Sequence, residues 1–464
     1  MRLLRLTSFL LIICMLQGAA LAKEPFRVNS WLPLGEEVRI SGESRARYET
    51  LDGRFRAGRA GSDQLLAFRT LVHGEVDIGA ATVGVELQDS RGYLADDGTP
   101  LSSSFINAGD VLQAYVKTSV SGGIGEGAKT ELKFGRQTID IGSERQLERV
   151  DFANVIKSYT GLYAVSSNER GDELHALFTV LVDRRPGDLQ SLLDNEIVAD
   201  KEQWNRWVWG LHYRRADIAP GIASNLWGEL FVYGLDEQDT DDDPTANRNY
   251  VTPGFRLFRA PVRAQWDLDV EGSWRWGARR ATSNPLDRED LDTSAGQLLA
   301  RFGYTFDHPW RPRVAAQYYY ASGDENPTDG RYDQYERLFG GRRGDLNNTS
   351  IHGPLTPANL SAPGVRFDIR PNARTDARLH YSAAHLASDT DSFVIARLRD
   401  PSGNSGDFIG HAIDARARYW LIPDSVRLEY GASALFRGDF SKSVPGAPEG
   451  DKSLFAYSQV TVHF

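Results

Sequence analysis

The chain has 464 residues, a formal net charge of -10 at pH 7 and a mean hydropathy of -0.42. A chain this polar is not a bundle of membrane-spanning helices, but it is compatible with a membrane β-barrel, in which only alternate strand residues face lipid. Its single cysteine is Cys14, so the rest of the sequence offers neither a disulfide nor cysteine chemistry.

The first 22 residues have the pattern of a secretory signal peptide. A basic start, Met1 to Arg5, precedes an apolar run at residues 6–16, and Ala20-Leu21-Ala22 form a cleavage box before Lys23. We expect the mature chain to comprise residues 23–464 as one domain. The alternative, a retained membrane anchor, is disfavoured because the apolar run is short.

From residue 36 onward, apolar and charged residues alternate with period two, which predicts β-strands with one apolar face and one polar face. In residues 36–50 and 64–79 the polar faces include the following side chains: Arg39, Glu43, Arg45, Arg47, Glu49, Arg69, His73, Glu75 and Asp77. The clearest run is 264–276, where the apolar face holds Trp266, Leu268, Val270, Trp274 and Trp276, and the polar face holds Asp267, Asp269, Glu271 and Arg275. Strands of a soluble sandwich also alternate. However, regular runs of about ten residues with aromatics at both ends fit a tilted bilayer strand better.

The pattern predicts eighteen strands in one meander, and an even number is what a closed antiparallel bacterial barrel requires. The predicted ranges are 36–50, 64–79, 81–90, 110–119, 128–137, 158–166, 172–183, 205–216, 225–235, 250–260, 263–277, 294–306, 312–321, 364–371, 374–386, 410–421, 425–437 and 454–464. The fold class is therefore all-β, a transmembrane antiparallel barrel of about 18 strands in the bacterial outer membrane.

The gaps between these strands differ in length. Pro423-Asp424 and Asp307-His308-Pro309 predict short periplasmic turns. The main long gaps are residues 184–204, 236–249, 322–363 and 387–409, and some of them could fold into the lumen or cover a mouth. Leu189 to Glu202 shows a weak helical pattern.

The C-terminal segment, Leu454 to Phe464, ends on an aromatic residue, with Val460 and Val462 on the same face. It resembles the terminal strand that the barrel assembly machinery of Gram-negative bacteria reads. We therefore expect Phe464 to contact that machinery, the alternative being an ordinary last strand that ends in Phe by chance.

Several segments resemble the alginate export family of outer-membrane barrels. They are Phe134-Gly-Arg-Gln137, Asn154 to Gly161, Trp266 to Glu271, Tyr320 to Arg331, Leu338-Phe339, Asn359-Leu360, Ile409 to Asp414 and Phe436 to Phe440. The resemblance spans roughly residues 130–464. It implies a barrel in the outer membrane, in contact with lipid and lipopolysaccharide, and it leaves the transported substrate open.

Arginine is the preferred cation of the chain, with eight Lys among 53 Lys and Arg residues. Guanidinium groups pair with planar carboxylates, so an anionic polysaccharide such as a polyuronate is a candidate substrate. Arginine-favouring codon usage is the alternative explanation. On the closed barrel the polar faces near the two ends of the chain predict a basic wall, with Asp267, Asp269 and Glu271 opposite as an acidic wall. The expected arginines of the basic wall are Arg39, Arg45, Arg47, Arg366, Arg370, Arg378, Arg416, Arg418 and Arg427, with Asp414 interleaved among them, and Arg69 is a further expected lining residue of the channel. Balanced charge ladders that only stiffen the barrel are the other interpretation.

Arg136 is a separate case. The family resemblance implies that it lines the pore, yet alternation places it on the face of Leu132 and Phe134. A bulge at Gly135 would turn the side chain inward; otherwise it lies at the membrane interface.

The sequence contains few signs of chemistry. Its nine His residues lack metal-ligand spacing or a Ser-His-Asp arrangement, and no phosphate loop or nucleic-acid-binding patch is evident. The acidic run 236–243 could bind calcium, but a solvated loop is the simpler interpretation. We expect a channel without catalysis, metal or cofactor that passes a hydrophilic anionic solute or polysaccharide. The alternatives are a porin for small nutrients and a barrel enzyme acting on lipid or peptide.

Overall fold

A computed structural model describes residues 25–32, 34–241 and 243–464. These residues form eighteen antiparallel strands, each paired with the next, and β18 pairs with β1 to close the barrel. The strands are β1 Val38–Asp52, β2 Ser62–Ile78, β3 Ala81–Tyr93, β4 Asn107–Ser121, β5 Lys129–Gln137, β6 Tyr159–Ser167, β7 Glu173–Asp183, β8 Lys201–Arg215, β9 Leu226–Glu237, β10 Asn249–Arg259, β11 Gln265–Arg279, β12 Leu291–Thr305, β13 Arg313–Ala321, β14 Leu360–Asn372, β15 Thr375–His385, β16 Phe408–Ile422, β17 Val426–Arg437 and β18 Lys452–His463. The predicted fold class and strand number are confirmed. The predicted signal peptide lies outside the described residues.

The described residues also form three short helices: α1 Val28–Trp31, α2 Leu189–Leu193 and α3 Asp439–Ser443. Within the described part of the chain, no helix is both long and apolar enough to span a membrane. The helical pattern predicted for Leu189 to Glu202 corresponds only to α2, which Asp188 caps by accepting a hydrogen bond from the Ser191 N–H.

The barrel closes through strand pairing and through the C-terminal residue. Pairing of β1 with β18 runs from Glu43 opposite His463 to Asp52 opposite Leu454. Beyond it, the Phe464 N–H donates to Gly42 O at 3.0 Å and the Gly42 N–H donates to Phe464 O at 2.8 Å. The Phe464 ring lies over Gly42, where any added Cβ would collide with it. Phe464 therefore extends the closing ladder by one residue pair.

The two faces of the strands have the predicted chemistry. On β11, Trp274 and Trp276 are exposed on the outer surface, whereas Asp267, Asp269 and Glu271 are buried inside the barrel. Exposed Val72, Val76 and Ile78 continue the apolar outer surface on β2, as Val365 and Phe367 do on β14. The period-two alternation thus separates an apolar exterior from a charged interior.

The two ends of the barrel differ in the length of their connections. At the end that also holds α1, called the turn end, the eight connections have two to ten residues; at the opposite end, called the loop end, the nine connections have nine to 38. In bacterial barrels short turns face the periplasm and longer loops face the exterior.

Two connections from the loop end enter the barrel. Residues 138–158, between β5 and β6, form the first lumenal loop, and residues 322–359, between β13 and β14, form the second. The long gap 322–363 was expected as a lumenal candidate, but residues 138–158 were not singled out. A hydrophobic cluster at the loop end packs Tyr335, Leu346 and Leu355 of the second loop against Phe393 and Phe440 of other loops.

Candidate functional site

The two lumenal loops bind to each other. Leu147 and Phe339 form a short parallel β-bridge, in which the Phe339 N–H donates to Gln146 O at 2.9 Å. The Gly341 N–H donates to Glu144 O, also at 2.9 Å. Gly340 lies so close to the Arg145 carbonyl that any side chain there would collide with it. The loops therefore form one structure inside the barrel, called the plug.

Arg145 fixes the plug to the barrel wall. Its guanidinium pairs with Asp269 at 2.6 Å and Glu271 at 2.8 Å on β11, and with Asp345 of the second loop at 2.8 Å. Asp345 also pairs with Arg301 on β12 at 2.6 Å. Burial disfavours the charge on Arg145, but the three carboxylates outweigh burial and raise its pKa well above the usual value. These carboxylates therefore hold a fully charged cation in the interior.

The predicted acidic wall is not a bare acidic surface, and that expectation was wrong. Asp269 pairs with Arg256 at 2.8 Å in addition to Arg145, and Asp267 pairs with Arg313 at 2.5 Å. On the lumenal face of β11 itself, the cation nearest in sequence to these acids is Arg275. The missing cations come from neighbouring strands and from the first lumenal loop, so the carboxylates neutralise buried arginines.

The plug also covers part of the basic wall, and it does so with backbone carbonyls. Arg45 donates to Asp151 O at 2.8 Å and Ala153 O at 2.6 Å, and Arg69 donates to the same two carbonyls. Arg47 donates to Phe152 O at 2.7 Å. These arginines are thus engaged by the first lumenal loop.

The second lumenal loop covers two further wall arginines in the same way. Arg366 donates to Gly344 O at 3.0 Å, and Arg378 donates to the same carbonyl at 3.1 Å. Asp414 accepts hydrogen bonds from the Asn348 N–H at 2.7 Å and from Ser433 Oγ at 2.5 Å. Asp414 therefore anchors the plug and does not line open space.

A cavity of about 600 Å³ remains between the plug and the basic wall. Its charged lining comprises eleven cations, Arg45, Arg145, Lys157, Arg184, Arg337, Arg342, Arg343, Arg378, Arg416, Arg418 and Arg427, and six acids, Glu43, Glu144, Glu148, Asp151, Asp345 and Glu429. The lining thus carries a surplus of positive charge. Five of the cations, Arg45, Arg378, Arg416, Arg418 and Arg427, were predicted from strand alternation.

The cations of the cavity differ in their partners. Arg418 pairs with Glu429 at 2.5 Å, Arg343 with the same carboxylate at 2.6 Å, and Arg416 with Asp376. By contrast, Lys157 donates to the carbonyl of Phe339 at 2.8 Å, and Arg342 donates to the carbonyl of Leu355. The described residues provide no carboxylate within ion-pair distance of Lys157, Arg337, Arg342 or Arg378.

Burial and like charges act together on the loop cations of this group. Burial lowers the pKa of Lys157 well below its usual value, and the charges of Arg337 and Arg184 lower it further. The pKa of Arg342 is also lowered by burial, then by Arg337 and Arg56. Because an anion nearby would relieve this repulsion, the cavity is electrostatically suited to bind one.

A second cavity, of about 520 Å³, opens at the turn end. Glu43 and Arg427 line both cavities, so these two side chains lie at the junction where the cavities adjoin. The Arg427 guanidinium lies 5.4 Å from the centre of the Trp420 ring, and it forms no ion pair within the described chain. Arg427 therefore contributes an uncompensated cation to this junction.

The remaining predicted residues lie away from the main cavity. Arg39 is half-exposed at the turn end, where it pairs with Glu75 at 3.1 Å and Asp77 at 2.6 Å. Arg370 is exposed near the same end.

Arg136 is not turned inward. The strand register shows no bulge at Gly135, although this glycine has a φ of +124°. Arg136 shares the outer face of β5 with the exposed Phe134, and it pairs with Glu202 at 2.7 Å. The bulge that would have brought it into the pore is therefore absent.

The described residues contain no group of three or more His, Cys, Asp or Glu side chains arranged to hold a metal ion. In the acidic run 236–243, Asp239 pairs with Arg280 at 2.5 Å, and Asp243 pairs with Arg206. Both carboxylates are thus already occupied by arginine.

A family model described as alginate export matches residues 31–452. No curated protein sequence matches the chain significantly. Among solved structures, OccK9 (OpdG) of Pseudomonas aeruginosa is similar at 15% identity with a TM-score of 0.57, over 92% of this chain and 98% of that one. OccAB1 of Acinetobacter baumannii is similar at 13% identity with a TM-score of 0.57, over 92% and 97% of the two chains. OccK2 (OpdF) of P. aeruginosa, solved in complex with glucuronate, is similar at 13% identity with a TM-score of 0.58, over 95% and 99%. At these identities the likeness concerns the fold.

Proposed function

The chain belongs to the alginate export family and is a β-barrel channel of the bacterial outer membrane, and we propose that its cargo is an anionic, carboxylate-bearing saccharide such as alginate. The observation that carries this proposal is the main cavity, where cations outnumber acids and Lys157, Arg337, Arg342 and Arg378 lack carboxylate partners. Guanidinium groups bind carboxylates through two parallel hydrogen bonds and keep their charge at all relevant pH values. Passage is down the gradient of the solute, without chemical conversion.

Two observations favour a second candidate, a porin for small carboxylates. The plug leaves a cavity of about 600 Å³, which is the size of a small-molecule site. OccK2 has been solved with glucuronate, and OpdK, another similar barrel, with vanillate; both ligands are small carboxylates. In this second candidate the plug remains in place during transport, whereas passage of a polymer requires the plug to move.

The selectivity test uses the purified channel in planar bilayers under a salt gradient. We expect a reversal potential that reports anion preference and weakens as salt rises, because the Debye length falls to about 3 Å at 1 M. The double variant Arg378→Gln/Arg427→Gln should shift the reversal potential toward cations and weaken block by an oligouronate. Arg59→Gln/Arg288→Gln is the charge-matched control, since both residues are exposed in loop-end connections outside the plug.

Cation selectivity of the unmodified channel, or equal shifts in both double variants, would contradict the proposal. Comparing a monomeric uronate with an octameric one separates the two candidates. A polymer channel should be blocked far more strongly by the octamer, whereas a porin for small carboxylates should conduct the monomer and exclude the octamer.

Phe464 as the contact for the assembly machinery remains a prediction.

A further inference from the structure

The strands β5 and β6 are short, so the barrel wall does not extend as far toward the loop end there as it does at β4 and β8. Each of these strands has nine residues, whereas β4 and β8 have 15. Pairing of β4 with β5 begins at Ala114 opposite Arg136, so residues 107–113 of β4 have no partner strand on that side. The wall therefore has a gap between β4 and β7 at the loop end.

Residues 184–200, called the strap, cross this gap from β7 toward β3 before returning to β8. The Asn195 side chain donates to Gly92 O at 3.0 Å and accepts from the Gly92 N–H at 2.9 Å, at the end of β3. The Asp200 carboxylate accepts from Asn107 Nδ2 at 2.7 Å, and the Asp200 N–H donates to Asp110. Hydrogen bonds to side chains thus replace strand pairing along the edge of β4.

The base of the strap lies on the outer surface of the barrel. Arg136 shares the outer face of β5 with Phe134, which is 66% exposed, and it pairs with Glu202 just after the strap. Thr160, on the outer face of β6, also donates to Glu202, at 3.1 Å. Arg136 donates to the Asp200 carbonyl at 3.4 Å, which ties the end of the strap to this outer cluster.

The strap presents large aliphatic side chains away from the protein. Leu189, Leu193 and Ile197 are 56%, 46% and 68% exposed, whereas Leu192 is buried. Ile197 lies beside Gly109, since a Cβ added there would be 3.6 Å from it. Val111, two residues further along β4, is exposed on the outer surface. The aliphatic residues of the strap therefore continue the apolar exterior of the barrel.

We propose that the strap is inserted in the outer leaflet of the membrane, where Leu189, Leu193 and Ile197 contact lipid acyl chains. Contiguous apolar surface is costly to leave in water, and interfacial segments bind membranes in proportion to the apolar area that they bury. Lipid is the expected partner because the exposed aliphatic residues of the strap continue the apolar surface of the neighbouring strands, which face lipid. Lipid thereby holds the strap over the gap, so that the wall is sealed without strand pairing.

The test uses single-cysteine variants, since the chain has no cysteine other than Cys14. Leu193→Cys and Ile197→Cys carry an environment-sensitive fluorophore in liposomes that contain nitroxide-labelled phosphatidylcholine. Phe134→Cys marks the lipid-facing wall, and Leu286→Cys, at an 89% exposed position of another loop-end connection, marks the aqueous phase. Heat-modifiable migration confirms that each variant is folded.

We expect lipid-borne nitroxide to quench positions 193 and 197 as strongly as position 134, and several-fold more than position 286. Aqueous iodide should give the reverse order. Iodide quenching at 193 and 197 that equals quenching at 286 would overturn the proposal. Protection from both quenchers that disappears when the protein is diluted in lipid would also overturn it, because a second copy of the chain would then cover the strap.

Discussion

Arg145 is the residue on which the plug depends most, since it balances three buried carboxylates. We predict that Arg145→Gln leaves Asp269, Glu271 and Asp345 with too few cations, which costs about 3–5 kcal/mol as for other broken buried ion pairs. The barrel keeps its strand pairing, so this cost is expected to release the first lumenal loop from the wall. Single-channel conductance should therefore rise above that of the unmodified protein.

Arg149→Gln is the matched control for Arg145→Gln, because it removes the same charge from the same loop. Arg149 lies 3.8 Å from Glu86 and makes no closer ion pair. Its variant should conduct as the unmodified channel does. If the two variants had equal conductance, Arg145 would not hold the plug in place.

The main cavity was only partly predictable from the sequence, for a physical reason. Side chains along a strand point alternately to the two faces of the barrel wall. The lumenal position of strand residues such as Arg378 and Arg418 therefore follows from the alternation of apolar and charged residues in the sequence. Lys157, Arg337 and Arg342 lie in loops, whose paths depend on tertiary contacts and leave no periodic pattern. One signal was available: the run Asp267, Asp269 and Glu271 has too few cations on its own strand, and buried carboxylates require partners.

At the scale of single elements, strand β11 tests the assignment of the two barrel faces. We predict that Val270→Arg costs about 2–4 kcal/mol of barrel stability, because it places a charge on the lipid face near the middle of the strand. Val262→Arg makes the same change in the exposed turn before β11 and should cost much less. Urea unfolding in liposomes measures both, and equal tolerance would mean that the faces are wrongly assigned.

The strands themselves were highly predictable. Every predicted boundary lies within four residues of the structure, because alternation over nine or more residues fixes both the type of element and its register. Local deviations were not predictable in the same way. At Gly135 the backbone adopts a positive φ without a bulge, so the alternation continues and Arg136 stays on the outer face.

At the scale of the whole molecule, the barrel is a rigid frame and the plug is the part that can respond to conditions. The plug is held by ion pairs and carbonyl contacts, with one short β-bridge between its two loops. The ion pairs depend on the protonation of their carboxylates, whereas the closed ladder of eighteen strands does not depend on protonation. The pH dependence of conductance should therefore arise from titratable groups of the plug.

Glu148, in the first lumenal loop, is the group for which this dependence can be predicted. Burial, and then the charges of Glu144 and Asp140, raise its pKa to about 8, while Lys157 and Arg337 oppose the shift. A raised pKa means that the closed plug binds the proton more tightly than a solvated loop does, so the closed state weakens as pH rises from about 4.5 to 8. We predict that conductance increases from pH 5 to pH 8.5 and that Glu148→Gln flattens this increase, whereas Glu289→Gln, at an exposed loop-end position, leaves it unchanged. Bilayer recordings across this pH range measure the slope, and an unaltered slope in Glu148→Gln would show that another group controls the plug.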